Sequence, residues 1–403
     1  MREVEKKARL AEGKAAAYGP DVDLEQFTLD SPSYPEQELS AIDVVDRDRL
    51  LNAGVDMSGR ERSGSFIQVD GSVLHASPAQ EGIEVISIRK ALEKYSWLEE
   101  YMWRLVAPDA DKFTARAALE LHDGYFVRAM PGVKSVFPVQ ACLYLKARDI
   151  SQNVHNIVIA EEGSELHIIT GCATDSPELR GLHVGISEFY IKKNAKITFS
   201  MIHNWAENIS VRPRSAVHID EGGVYLNNYI SLSPVETLQL YPTAFLAGKG
   251  ATARFNSVLM APPGSSMDVG SKAVLSAPGT RCEMIARALS TGGEIISRGL
   301  MVGEVGGVKA HLECRGMILK GSGRIYAIPE LDGRTEGVDM SHEAAVGKIA
   351  REEVEYLMAR GLSEDEAVAT IVRGFMNVDI EGLPPVLKEQ IDRAIEISEQ
   401  SLL

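Results

Sequence analysis

Cysteine is scarce in this chain. Four occur among 403 residues, Cys142, Cys172, Cys282 and Cys314, and no two form a CxxC pair. That pattern speaks against a disulfide framework and suits a reducing cytoplasm, the expected location. Positive charge is also short. Lys and Arg number 42 against 57 Asp and Glu, for a formal net charge of -15. Phosphate binding rests on clustered basic residues, so no nucleic-acid partner is expected. No apolar run reaches the length of a membrane span, and the opening segment MREVEKKARLAEGKAAA is charged, so neither a signal peptide nor a membrane partner is expected. Several motifs are missing as well. Without GxxxxGK[ST] the chain has no P-loop for ATP, and neither HExxH nor GxSxG occurs.

With 45% hydrophobic residues, the chain can bury a large core. Residues 1–123 read as an extended and helical N-terminal region. Met1 to Ala17 can form an amphipathic helix, and the Pro-rich acidic stretch after it reads as extended chain. Ile86 to Val106 has helical spacing, and a second helix is expected from Asp111 to Leu121. From about Gly124 the pattern changes to short β-type runs separated by turns. The turn residues Gly163, Asn194, Gly222, Gly250, Gly279 and Gly307 follow one another at intervals of 31, 28, 28, 29 and 28. A second series, Gly264, Gly292 and Gly321, repeats at 28 and 29. A fixed period with strands in every repeat marks a β-solenoid. The expected fold is therefore mainly β, a right-handed parallel β-helix over 124–330 between helical ends; a jelly roll is the competing arrangement. Residues 331–403 turn helical. Ser341 is expected to cap a helix over 342–360 that stops at Gly361. Ser363-Glu364-Asp365-Glu366 opens another, running to about Met376, and Pro384-Pro385 a third.

Two cysteines stand out. In VKAHLECRGMILK, Val308, Ala310, Leu312 and Cys314 alternate with polar residues, which places Cys314 on the apolar face of a strand. Cys172, in ELHIITGCATD, shares a face with Leu166, Ile168 and Thr170. Cys172 lies nine residues after Gly163 and Cys314 seven after Gly307, so both thiols should face the same way, five turn intervals or roughly 24 Å apart. They cannot share one metal site within a subunit. A buried cysteine is often only a small hydrophobe, and a histidine in the first turn of a helix is usually a solvated one. Yet Ser341-His342-Glu343 follows Cys314 by about one repeat, and a thiol, an imidazole and a carboxylate together can bind metal. Many parallel β-helix proteins cleave polysaccharides. Here carboxylates are scattered and aromatic platforms few, at 6% aromatic residues, which leaves that reading open but weakly supported.

At GCATDSPELRGLHVGISEFYIKKNAKITFSMIHNWAENI and SHEAAVGKIAREEVEYLMARGLSEDEAVATIVRGFMN the chain resembles the SufB/SufD family of the SUF iron–sulfur cluster assembly system. The resemblance covers roughly residues 140–380. It implies a non-enzymatic scaffold for a transient iron–sulfur cluster, SufB-like because both functional cysteines are present. It further implies that Cys172 accepts sulfur from a sulfur donor, and that Cys314, His342 and Glu343 hold the nascent cluster at a dimer interface with a second copy or a SufD-like paralogue. The C-terminal helices would dock a SufC-type ABC ATPase through Val346, Ile349, Leu357, Val368, Ile371 and Phe375, with Glu352, Glu353, Glu364 and Asp365 as a rim. A SufD-like stabilising or iron-delivering subunit is the alternative within the family.

Overall fold

The computed structural model describes residues 2–376 apart from Met57, Gly59 and Lys320. The helix expected from Pro384 lies outside the described residues.

The repeat becomes a parallel β-solenoid of about eight turns. One sheet stacks the strands Gly64–Val69, Val139–Leu145, Glu165–Thr174, Lys196–Asn204, Val224–Ser231, Thr252–Ala261, Arg281–Ser290, Lys309–Ile318 and Asp339–Gly347, all parallel. Ser72–Pro78 closes its N-terminal edge in antiparallel fashion. The second sheet starts with the antiparallel pair Ile83–Ser87 and Tyr125–Ala129, then runs parallel through Ile150–Ala160 and Arg180–Ile191 to Arg324–Gly333.

The turn residues of the first series all adopt left-handed backbone, from φ 54 at Asn194 to φ 78 at Gly307. They also stack. Gly163 N–H donates to Lys193 O, Asn194 to Glu221 O, Gly222 to Lys249 O, Gly250 to Pro278 O, Gly279 to Gly307 O and Gly307 to Gly337 O, at 2.8–3.1 Å. A left-handed residue turns the chain so that its amide points along the solenoid axis, and glycine or asparagine adopts that conformation at least strain. Register follows from the turns. Counting seven from each gives Thr170, Met201, Tyr229, Ser257, Ala286 and Cys314, which are paired rung to rung.

Inward side chains of both sheets fill one long core that includes Cys172, Phe199, Tyr229, Phe255, Met284 and Cys314. Each outer face carries a separate layer. Over the second sheet, the N-terminal helices bring Ile88, Leu98, Trp103 and Phe113 against Ile157, Val184, Ile186 and Tyr190. Over the first sheet, the helix Glu364–Met376 packs Ala369, Val372 and Met376 against Ile202, Ile230, Val258 and Leu289.

Three local expectations are corrected. The helix read over Ile86–Val106 breaks up. Ser87 ends a strand and caps Ile88–Lys94 by accepting from Lys90 N at 3.1 Å, Tyr95 is extended, and a short 3-10 turn covers Ser96–Glu100. The helix at Met1–Ala17 is shorter, Arg2–Leu10. Ser341 caps no helix. A further left-handed glycine, Gly337, starts another rung, so Ser341, His342 and Glu343 lie in the strand Asp339–Gly347, and the helix begins only at Arg351. The capping box at Ser363 forms as read: Ser363 N–H donates to Glu366 Oε2 at 2.8 Å, and Glu366 N–H to Ser363 Oγ at 3.3 Å.

Candidate functional site

Cys172 sits on the inward face of Glu165–Thr174, with no solvent exposure. Its neighbour Gly171 faces outward, where a Cβ would lie 2.4 Å from the Ala53 carbonyl. The N-terminal layer can close over the Cys172 strand because residue 171 has no side chain. One rung on, Cys172 pairs in register with His203, which faces inward like Met201 and Phe199. His203 Nδ1 shares a 2.8 Å hydrogen bond with the Tyr229 hydroxyl. Its Nε2, although buried, has no hydrogen-bond partner among the described residues. The Trp205 indole lies between two imidazoles, 5.6 Å from His203 and 5.1 Å from His183 between ring centroids. Burial pushes the Cys172 thiol well up and the His203 imidazole well down, with His183 adding to the latter, so both are neutral at rest. His183, also pushed down by burial to about 3, is held by Gln152 Oε1 at 2.9 Å.

Cys314 faces the same interior five rungs away, 4% exposed. Ser297 Oγ donates to its sulfur at 3.5 Å. Burial raises the thiol's pKa, the Ser297 hydrogen bond opposes this, and Glu313 adds to the rise. A narrow cavity of about 10 Å³ beside it is lined by Ser257, Ser271, Ser297, Arg298 and Glu313 among apolar groups. The column between the cysteines runs through Tyr229, Ser257 and Ala286, with His203 bridging from Tyr229 to the Cys172 rung.

His342 and Glu343 occupy the last rung. His342 pairs with Leu312 and therefore shares the inward face with Cys314, one rung across and two residues along, about 8 Å between Cα atoms. Among the described residues no strand follows it, and it is exposed. Glu343 pairs with Glu313 on the opposite, outer face, where Arg315 Nη2 donates to Glu343 Oε1 at 3.1 Å. Arg315 also reaches Glu313 at 2.9 Å, and Glu313 reaches Arg287 at 2.6 Å. The fold thus brings Cys314 and His342 to one face and directs Glu343 to the other. No group of three or more His, Cys, Asp or Glu able to hold a metal occurs among the described residues.

The apolar residues read as an ATPase-docking stripe divide in two. Ile349, Val368 and Phe375 pack against the outer face of the first sheet within the chain itself. Leu357 and Ile371 are half-buried, whereas Val346 is 41% and Tyr356 57% exposed. Sequence reasoning did not single out His203, Tyr229 or Trp205. The signal was available, since His203 lies nine residues after Asn194, as Cys172 does after Gly163.

The family model described as SUF system FeS cluster assembly, SufBD core domain, matches residues 143–375, which contain both cysteines, His203 and the terminal rung. This chain belongs to the SufBD family. Among similar proteins is an iron–sulfur cluster assembly SufBD family protein of Methanothermobacter thermautotrophicus strain Winter, 48% identical over 405 residues and 99% of each chain. One from Archaeoglobus fulgidus is 52% identical over 359 residues, 89% of this chain and 96% of that protein. A more distant one from Pyrococcus horikoshii is 28% identical over 342 residues, 83% of this chain and 76% of that protein. The SufBD family serves iron–sulfur cluster assembly and is not a known enzyme family. No described helix of this member is long and apolar enough to cross a membrane.

Proposed function

We propose that this SufBD chain is a SufB-like scaffold on which sulfur accepted at Cys172 meets iron at Cys314, building a cluster that is cargo and not a resident cofactor. The observation that carries this reading is the placement of both thiols on the inward face of one sheet, joined by a column of small and polar side chains. Thiolates are the natural ligands of iron–sulfur clusters, and an imidazole or carboxylate makes a looser site from which a cluster can leave. His342 is the imidazole best placed to join Cys314. Glu343 joins only after Arg315 releases it and the terminal rung shifts. Asp339–Gly347 ends its sheet and leaves one backbone edge unoccupied by any described strand. A second copy, or a SufD-like paralogue, can extend the sheet there and complete the ligand set.

The ATP-driven part of the work falls to a SufC-type ABC ATPase. Its docking surface is the exposed side of Arg351–Met358, with Tyr356 and Met358 as anchors and Glu352, Glu353, Glu364 and Asp365 as an acidic rim. Because this helix follows the terminal rung after three residues, a pull on it reaches His342 and Glu343 directly.

Anaerobic reconstitution with ferrous iron and sulfide tests the reading. The wild-type chain is expected to develop cluster absorbance, and Cys314→Ser, nearly isosteric but lacking a thiolate, to lose it while keeping its fold. Wild-type cluster yield from folded Cys314→Ser protein would remove Cys314 from the ligand set.

A further inference from the structure

Cys172 is sealed inside the solenoid, so a sulfur donor needs a way in. The corner turns that follow its strand and the next two enclose a cleft of about 400 Å³. It is lined by Asp175, Ser176 and Glu178 after the Cys172 strand, by Trp205 and Glu207 after the His203 strand, and by Ser233 after the Tyr229 strand. Arg49 closes one side, paired with Asp175 at 2.5 Å. Glu178 and Glu207 are exposed on the rim, which makes the cleft acidic. Its floor is the Trp205 indole, buried and with Nε1 lacking a partner among the described residues. Behind that indole stands His203, whose Nε2 is likewise buried without a partner, one rung from Cys172. Two orphaned nitrogens beside a buried thiol, under one cleft, form an unusual concentration of unsatisfied polar groups.

We propose that this cleft is the port through which a donor protein's segment, carrying a cysteine persulfide among basic residues, reaches Cys172, with His203 taking the thiol proton during the transfer. The inference rests on Cys172 being the sulfur acceptor. Trp205 is the partition that must swing aside. With Nδ1–H donated to the Tyr229 oxygen, His203 keeps its Nε2 lone pair free to take the Cys172 proton once the port opens. The freed thiolate attacks the terminal sulfur of the donor persulfide, and a new S–S bond forms on Cys172. The donor's own S–S bond breaks, its electron pair leaves on the donor cysteine, and that sulfur takes the proton from His203. The transferred sulfur keeps its oxidation state, so no external reductant is consumed. The titratable groups facing His203 are Cys172, Tyr229 and His183, none of them charged at rest, so the site stays inert until the port opens.

The test uses the full-length chain with cysteamine persulfide, a cationic probe matched to the acidic cleft, and mass spectrometry of the alkylated Cys172 peptide as readout. Wild-type protein gains one sulfur on Cys172. Ser176→Trp and Ser233→Trp, which fill the cleft from opposite turns, load more slowly while melting normally. His203→Gln loads about a hundredfold more slowly, in the range expected for loss of a general base. That deficit shrinks as pH rises, because hydroxide replaces the missing base. A purely structural role for His203 gives a deficit that does not change with pH, and that outcome overturns its assignment. Undiminished loading of both filled-cleft variants overturns the port. Failure of wild-type Cys172 to load at any pH instead refutes the sulfur-accepting reading, leaving the two failures distinguishable.

Discussion

Glu188→Ala is expected to release the turn that lies over the second sheet. Glu188 is fully buried on the outer face of Arg180–Ile191. Its carboxylate accepts from Trp103 N at 2.6 Å, from Leu105 N, from Val106 N at 3.1 Å, and pairs with His155 Nε2 at 2.8 Å. One side chain therefore satisfies three backbone amides, and it holds Trp103 at φ 60, a left-handed conformation rare for so large a residue. Removal strands four donors, each costing about 1–3 kcal/mol if it stays buried. The turn has an escape, because Arg104 and Leu105 border the surface and relaxing Trp103 returns about 1 kcal/mol of strain. The penalty should therefore sit near the low end, about 4 kcal/mol, or about a thousandfold in the local opening equilibrium. Arg104 supplies its own assay as an exposed trypsin site. Under native conditions, cleavage after Arg104 should accelerate by about that factor, with a red shift in tryptophan emission and the rest of the solenoid still protected. Cleavage at the wild-type rate in Glu188→Ala would show that hydrophobic packing of Leu98 and Trp103 holds the layer without the carboxylate.

Three further outcomes are expected. Cys172→Ser should block sulfur delivery from a cysteine desulfurase yet spare reconstitution with free sulfide, read as cluster absorbance by each route; equal loss by both routes would refute a relay along the interior. Tyr356→Asp should abolish pull-down of the ATPase subunit without changing the melting temperature. Phe375→Asp should instead lower the melting temperature, by loosening Glu364–Met376 from Ile202 and Val258. Normal ATPase binding by the Tyr356→Asp chain would place docking elsewhere.

The solenoid was legible because its turns need a rare backbone conformation. Residues able to adopt it recur at a fixed period, and that period carries the register with it: the equal parity of Cys172 and Cys314 is what the paired strands display. The last rung was misread. Gly337 falls 30 residues after Gly307 and continues the series, but Ser341-His342-Glu343 before an Ala-rich stretch is also a good helix start. Pairing with Lys309–Ile318 outweighed that local preference, and alternation along a strand then separated His342 from Glu343. The apolar stripe of the final helices had two possible partners in sequence terms, another protein or the chain itself. For Ile349, Val368 and Phe375, only the outward-facing Ile202, Ile230 and Val258 of the sheet, which they cover, decide for the chain. His203 was legible only through the repeat: its offset of nine from Asn194 matches that of Cys172 from Gly163, but the Tyr229 and Trp205 neighbours that set it apart come together only in the fold.

Stacked turns also make the molecule a ruler. Each hydrogen bond from one corner turn to the next fixes a single increment of about 4.8 Å along the axis. The terminal rung lies one such increment beyond Cys314, and the distance between Cys172 and Cys314 is five of them. A coil could be added or removed between these two without altering the side chains around either. The spacing of the two interior thiols is thus set by counting coils, and no separate partition has to hold them apart.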